Sequence, residues 1–214
     1  MKVGILGTGM VGATLGSKLV RLGHEVKMGS RSANNEKAVQ WAKENGARAS
    51  FGTFADAAAF GEIVFNCTAG TVSLAALTLA GASNLKQKVL VDVANPLDFP
   101  KGMPPTLSVC NSDSLGEQIQ RAFPSVKVVK ALNTMNCAVM VDPALIPGEH
   151  DAFVCGNDKA AKAEVVEILR SFGWKSIIDL GDITAARGTE MVLPIWLRLL
   201  SIYQNARFNF KIVK

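Results

Sequence analysis

The sequence has few of the groups that carry metal, nucleophilic or acid–base chemistry. Two histidines, His24 and His150, and four cysteines, Cys67, Cys110, Cys137 and Cys155, occur in 214 residues. No two cysteines form a C-x-x-C pair and the histidines are too few to complete a ligand set, so no metal is expected and the cysteines read as reduced structural thiols. No Ser/His/Asp or Cys/His arrangement stands at a spacing that would recommend nucleophilic catalysis. Apolar runs of membrane-spanning length are missing too: residues 193–203 are apolar but short, and Arg198 interrupts them. Gly4, Gly7, Gly9 and Gly12 break the apolar start that would otherwise imitate a secretory signal, so a cytoplasmic protein is expected. The net charge of +5 comes from basic residues scattered singly, without the aromatic interleaving of a nucleic-acid surface. A modest positive field of this kind suits an anionic cofactor.

The most informative absence lies at the end of the second strand. Val3-Gly4-Ile5-Leu6 reads as a strand, Gly7-Thr8-Gly9-Met10-Val11-Gly12 opens a helix with Leu15, Leu19 and Leu22 on its apolar stripe, and a second strand runs into Gly29-Ser30-Arg31-Ser32. Glycines at this spacing permit a tight turn and bring backbone close to a pyrophosphate, which then rests on the partly positive helix N-terminus. An Asp or Glu about twenty residues further on would bind a ribose diol, whereas an Arg accommodates a 2′-phosphate. Arg31 holds that place between the hydroxyls of Ser30 and Ser32, so NADP(H) is the expected cofactor.

Val- and Ile-rich runs alternating with helical patterns predict a Rossmann-type α/β fold with a doubly wound, mostly parallel sheet. Strands are expected near residues 2–6, 25–29, 47–49, 62–66, 88–92, 126–130, 151–155 and 175–178. The cleanest helix spans 158–172, with Val165, Ile168, Leu169 and Phe172 on one face and Gly173 past its end. A last helix, near 185–204, carries Met191, Ile195, Leu199 and Ile202 on a stripe and is expected to bend or restart at Pro194. Residues 95–113 form a proline-rich, ordered excursion. The expected organisation is a nucleotide-binding part, 1–135, with a small α/β C-terminal lobe, 136–214, packed on it as one unit.

Ligands of open parallel sheets bind beyond the carboxyl ends of the strands. That rule nominates Thr68, Ala69 and Gly70, small residues where ribose and pyrophosphate would pass, and Ala94, Asn95 and Pro96, whose amide would reach the nicotinamide ribose. A further strand end, Ala131-Leu132-Asn133-Thr134-Met135-Asn136, offers two amides and a hydroxyl for a carboxamide or a second substrate, with Leu132 on the cofactor side. No acid, base or nucleophile stands out there. Such a site suits hydride transfer between two flat rings, which needs alignment and exclusion of water while the cofactor carries the chemistry.

Gly7-Thr8-Gly9-x-x-Gly12, Gly29-Ser30-Arg31, Val129-x-Ala131-Leu132-x-Thr134, Val154-Cys155-Gly156-Asn157-Asp158 and Leu193-Pro194 together resemble the NADPH:coenzyme F420 oxidoreductases, over nearly the whole chain. Val154 to Asp158 and Asp92 to Pro96 also resemble the soluble NADPH domain of the six-transmembrane metalloreductases. The resemblance implies a dimeric NADP(H)-binding oxidoreductase in which hydride passes between nicotinamide C4 and C5 of a deazaflavin. A flavin is the other flat acceptor of the same shape. By that likeness Thr8, Ser30, Arg31 and Lys37 hold the adenosine phosphate end, and Asn133, Met135, Pro194 and Ile195 line the deazaflavin pocket. Two other readings compete: a reductase of imines or β-hydroxy acids, whose relatives add a helical domain, and a non-catalytic NADP(H) sensor or redox partner subunit, since a fold that holds a cofactor need not turn it over.

Overall fold

The computed structural model describes residues 1–100 and 102–214; Lys101, within the proline-rich excursion, lies outside the described residues. In chain order the elements are β1 (Lys2–Leu6), α1 (Met10–Arg21), β2 (Glu25–Ser30), α2 (Glu36–Asn45), β3 (Ala49–Thr53), α3 (Phe54–Phe60), β4 (Ile63–Asn66), α4 (Gly70–Ala80), α5 (Ala82–Leu85) and β5 (Val89–Asp92). They continue with β6 (Leu97–Asp98), β7 (Thr106–Leu107), α6 (Leu115–Ala122), β8 (Lys127–Ala131), α7 (Cys137–Val141), β9 (Asp151–Gly156), α8 (Lys159–Phe172), β10 (Ser176–Asp179), α9 (Ala186–Met191) and α10 (Leu193–Tyr203).

Eight strands make one sheet in the order β3-β2-β1-β4-β5-β8-β9-β10. The first six are parallel. β9 runs antiparallel to β8, and β10 is parallel to β9. The reversal follows from the connection: residues 132–150 supply only short helical turns and stay at the carboxyl end of β8, so the next strand must run back down. Both faces are buried, as parallel sheets require. Val3, Ile5 and Met28 pack on one face with Leu15 and Leu19 of α1, Trp41 of α2 and Val165 and Ile168 of α8. Leu6, Val64 and Leu90 pack on the other with Ala57 of α3, Leu77 of α4 and Ile119 of α6. Helices on both faces make the sheet doubly wound.

All eight expected strands form, with two differences in detail. The third begins at Ala49 rather than 47, because Gly46–Arg48 make a 3-10 turn that closes α2; Gly46, with φ +76°, ends the helix and delays the strand. The proline-rich excursion contains the antiparallel pair β6 and β7, with Leu97 opposite Leu107. Helix α8 is built as its pattern indicates: the Asp158 carboxylate accepts from Ala161 N–H at 2.8 Å, Val165, Ile168, Leu169 and Phe172 are buried, and Gly173 closes it in the left-handed conformation. Pro194 falls in the first turn of α10, where its missing N–H costs nothing, so the terminal helix breaks at Val192. The last residues fold back on β9, where Asp151 N–H donates to the Phe210 carbonyl at 3.0 Å and the Asp151 carboxylate accepts from Ile212 N–H at 2.6 Å. Among the described residues no helix is long and apolar enough to cross a membrane.

Candidate active site

The strand order reverses between β1 and β4, and there the loops after neighbouring strands part to leave a crevice. A cavity of about 350 Å³ lies in it, lined by Met10 and Val11 after β1, Cys67 to Gly70 after β4, Val93 to Asn95 after β5 and Met135 to Cys137 after β8, with Leu97, Phe99, Met140 and Trp196 closing it. Every strand end nominated by the sequence from β1, β4, β5 and β8 therefore meets in one place.

One side of this cavity is built for a phosphate. Helix α1 starts at Gly9 with no side-chain cap and no acid in its first turn, so its first N–H groups and the positive end of its dipole are free for an anion. Gly12 has to be glycine, because a Cβ there would come within 2.2 Å of the Gly7 carbonyl oxygen. A Cβ at Gly9 would meet nothing within 4 Å, which leaves open room for a pyrophosphate to approach the backbone. The N-terminus of α4 also faces the cavity, with neither cap nor acid. A Cβ at Gly70 would fall 2.1 Å from the Asn95 carbonyl oxygen, so glycine alone lets the loops after β4 and β5 touch.

At the end of β2, Ser30 is buried and its hydroxyl is bonded to the backbone of Ser32, accepting from Ser32 N–H at 3.2 Å. That turn presents Arg31 and Ser32 to solvent. Among the described residues the Arg31 guanidinium has neither an ion pair nor a hydrogen bond. Lys37, exposed in the first turn of α2, likewise has no carboxylate partner among them. Two uncommitted cations thus flank the place where an acid would bind a ribose diol.

The opposite wall is apolar. Met135, Phe99, Leu97, Met140 and Trp196 line it, and Trp196 stacks on Phe208 of the C-terminal segment with ring centroids 5.1 Å apart. Thr134 Oγ1 and Trp196 Nε1 are buried with no hydrogen-bond partner among the described residues. Of the acceptor residues nominated by sequence, the structure brings only Met135 into the cavity. Asn133 is 2% exposed and is spent on structure: its amide donates to Asn95 Oδ1 and to the Thr189 carbonyl, both at 2.9 Å, while its own carbonyl accepts from the Asn95 amide at 2.7 Å. The Asn95 side chain is committed to that clasp, although Asn95 lines the cavity. Pro194 borders a separate groove with Met103, Pro104 and Pro105, and Ile195 points to solvent, 54% exposed. Pro96 and Leu132 are both buried, Leu132 with φ +63°. That left-handed turn redirects the chain after β8 at a cost of about 1–2 kcal/mol.

Sequence reasoning missed the charges beneath the cavity. Lys130, fully buried on β8, donates to Asp92 Oδ2 at 2.8 Å, to the Ala94 carbonyl and to Glu190 Oε1 at 2.7 Å. Asp92 Oδ1 also accepts from the Asn66 amide at 2.8 Å and Ala94 N–H at 3.3 Å. Glu190 accepts from Leu115 N–H at 2.8 Å and Gly116 N–H at 3.1 Å, at the N-terminus of α6. The Asn66 amide reaches Ser73 Oγ at 3.1 Å, and the Thr68 hydroxyl donates to Asn66 Oδ1 at 2.7 Å, which ties the cavity lining to the charged floor. Burial alone would lower the Lys130 pKa, but Asp92 and Glu190 raise it overall, so it is an ammonium. Burial pushes Glu190 above the usual carboxylate range. A signal was available in the sequence: Asp92 ends the run Val89-Leu90-Val91 and Lys130 follows Val128-Val129, and the two stand opposite each other in the β5–β8 register.

Neither cysteine near the cavity is an activated nucleophile. Burial, with Asp92 nearby, pushes the Cys67 thiol well up, and Cys137 is a buried member of the core. Among the described residues no group of three or more His, Cys, Asp or Glu side chains could hold a metal. The cavity offers backbone N–H groups for phosphate and an apolar wall, with no charged side chain in its lining among the described residues.

Comparisons with known proteins agree with this geometry. Residues 2–96 match the model of a family described as NADP oxidoreductase, coenzyme F420-dependent. The crystal structure of a candidate F420-dependent NADP reductase from Arthrobacter sp. FB24 is similar over 100% of both chains, with 55% identity and a TM-score of 0.95. The F420-dependent NADP reductase of Methanocaldococcus jannaschii is 28% identical over 99% of this chain and 98% of its own. Metalloreductase STEAP3 of Rattus norvegicus is 30% identical over 91% of this chain, which spans only 38% of that protein's length. A Rossmann crevice at the β1–β4 switch point and a full-length match at this identity lead to one assignment: the chain belongs to the coenzyme F420-dependent NADP oxidoreductase family of enzymes.

Proposed function

We propose that the chain binds NADP(H) across the crevice and passes a hydride between nicotinamide C4 and a flat acceptor, a deazaflavin of the F420 type, held against the wall of Met135 and Trp196. The observation that carries this reading is a single cavity with two unlike sides, an uncapped helix N-terminus on one and a flat apolar surface on the other. When bound, the nicotinamide supplies the hydride, for which the protein itself has no carrier. Gly7 to Gly12 hold the pyrophosphate through backbone N–H groups. Thr8, Ser30, Arg31, Ser32 and Lys37 receive the adenosine phosphate end, where a guanidinium fork matches a phosphate dianion. Thr68, Ala69 and Gly70 leave room for the ribose, and Ala94, Asn95, Pro96 and Leu132 fix the floor on the nicotinamide side. The apolar wall excludes water and aligns the rings. A flavin is the second acceptor that such a wall accommodates.

The family name supports F420 as acceptor, and the oxidation of NADPH tests it. Purified protein is mixed with NADPH and, separately, with F420, FMN and FAD while the nicotinamide absorbance is followed. Loss of absorbance with F420 is expected. Tight NADPH binding without turnover across the panel would contradict the reading and leave a nucleotide sensor in its place. A homodimer belongs to the same proposal. Met191, Ile195 and Ile202 leave an exposed apolar stripe along α9 and α10, of the kind that marks a protein interface. Sedimentation of Ile195→Glu as a monomer beside a dimeric unsubstituted chain would support that placement, and sedimentation of the unsubstituted chain as a monomer would refute it.

A further inference from the structure

The Asp92–Lys130–Glu190 network bonds the Ala94 backbone and the first N–H groups of α6, work that neutral hydrogen-bonding side chains could do without placing net charge in the core. Buried ion triads are often no more stabilising than well-packed hydrophobic residues of the same volume. Its charge can be counted from hydrogen bonds. Lys130 uses three donors on three acceptors, as an ammonium does. Among the described residues every hydrogen-bond partner of Asp92 and of Glu190 is a donor, which favours the carboxylate at both and works against the burial that raises Glu190. Two negative charges and one positive leave a net charge of −1. The N-terminus of α6 offsets part of it at the Glu190 end; among the described residues no second cation touches Asp92, whose partner Ala94 lines the cavity.

The position of this charge gives it a role. Ala94 is part of the cavity lining, and both its N–H and its carbonyl are bonded into the network. Among the described residues the cavity lining carries no charged side chain, and the network is bonded directly to that lining through the Ala94 backbone. Asp92 is felt at the cavity wall, where it adds to the burial that keeps the Cys67 thiol neutral.

We propose that the Asp92–Lys130–Glu190 network tunes the redox balance of the bound nucleotide by favouring NADP+ over NADPH. This rests on the nucleotide reading above. Loss of a hydride removes one proton and two electrons from a neutral dihydronicotinamide ring and leaves a ring of charge +1. The flat acceptor takes that hydride, and one proton from solvent completes its two-electron reduction. A fixed negative charge bonded to the cavity lining would stabilise the +1 form of a nicotinamide held there and promote hydride departure. A network that only bolted α9 to the sheet would support both forms of the nucleotide equally.

The two binding constants, measured separately, distinguish these roles without any turnover. In Glu190→Gln the net charge rises from −1 to 0, and the ratio Kd(NADP+)/Kd(NADPH) should rise on the order of tenfold for a unit charge about 10 Å away at an effective dielectric of ~20. For a two-electron couple that is a shift of ~30 mV in the bound potential. The triple variant Asp92→Asn/Lys130→Met/Glu190→Gln also has zero net charge and retains packing volume, so it provides the same readout should Glu190→Gln fail to fold. A ratio within twofold of the unsubstituted value, in either folded variant, overturns the proposal. Failure of the unsubstituted chain to bind either form would instead overturn the nucleotide reading, and this inference with it.

Discussion

Arg31 is the residue on which cofactor choice turns. It is exposed, lies beyond the end of β2, and has no ion-pair or hydrogen-bond partner among the described residues. A guanidinium left without partners where other dinucleotide folds place a carboxylate supports the proposed contact with a 2′-phosphate. Arg31→Ala should weaken NADPH by about tenfold, ~1.4 kcal/mol, and change NADH affinity by less than twofold; titration with each nucleotide checks it. Equal losses would show that Arg31 does not touch the 2′-phosphate. This part of the proposed site could be written down from sequence because its chemistry is local: glycines, a turn and a charge lie within thirty-two residues. Trp196 was harder to read as cavity lining. Its stripe neighbours Met191 and Ile195 promised a buried face, yet they face solvent and Trp196 goes inward.

At the scale of elements, the site is a meeting of loops fixed by pairs distant in sequence. The Asn95–Asn133 clasp joins the loops after β5 and β8, and the second bond of Asn133, to the Thr189 carbonyl, anchors α9. The same amide was nominated as acceptor lining because its sequence position, just past a strand end, is where ligands bind; only the three-dimensional contact with Thr189 reveals that it is already satisfied. Asn133→Ala leaves buried partners unpaired and should cost about 1–3 kcal/mol. It should also raise KM for the acceptor more than for NADPH, since α9 leads directly into the helix that carries Trp196. Thermal unfolding and steady-state kinetics read the two effects, and an unchanged Tm would show that the clasp is not required. Strands were legible from their Val and Ile runs. The antiparallel β9 was not, because strand direction depends on where residues 132–150 travel, and no periodicity records that path. The Asp92–Lys130–Glu190 network was only partly legible for a related reason: the β5–β8 register sets Asp92 beside Lys130, but Glu190 reaches them from α9, a helix sixty residues further on.

For the whole molecule, the folded chain holds particular carboxylates ionised, and its stability follows pH accordingly. The hydrogen-bonded Arg121 guanidinium lowers Asp113 to about 2. Burial alone would raise Asp151, but the Ile212 N–H, the Ser176 hydroxyl and Lys211 outweigh it and hold its carboxyl below the usual range. Both pKa values are lower folded than unfolded, so the unfolded chain takes up protons first as the solution is acidified. The stabilisation is complete above the ordinary Asp value of about 4 and is lost as the pH falls from there toward the folded values. Tm should therefore hold level from neutral pH to about 5 and drop between about 4 and 2. Asp151→Asn should blunt that drop and loosen the C-terminal segment whose Phe208 stacks on Trp196. A Tm that rose on acidification would contradict the assignment of these two groups.

The central claim is that one cavity brings nicotinamide C4 and the acceptor ring face to face. NADPH carrying deuterium at the transferred C4 position, incubated with the protein and F420, tests it directly. Direct transfer predicts that the label appears on the acceptor's ring carbon, where it does not exchange with solvent. Label released to water, or retained on NADPH while both molecules are bound, would contradict it.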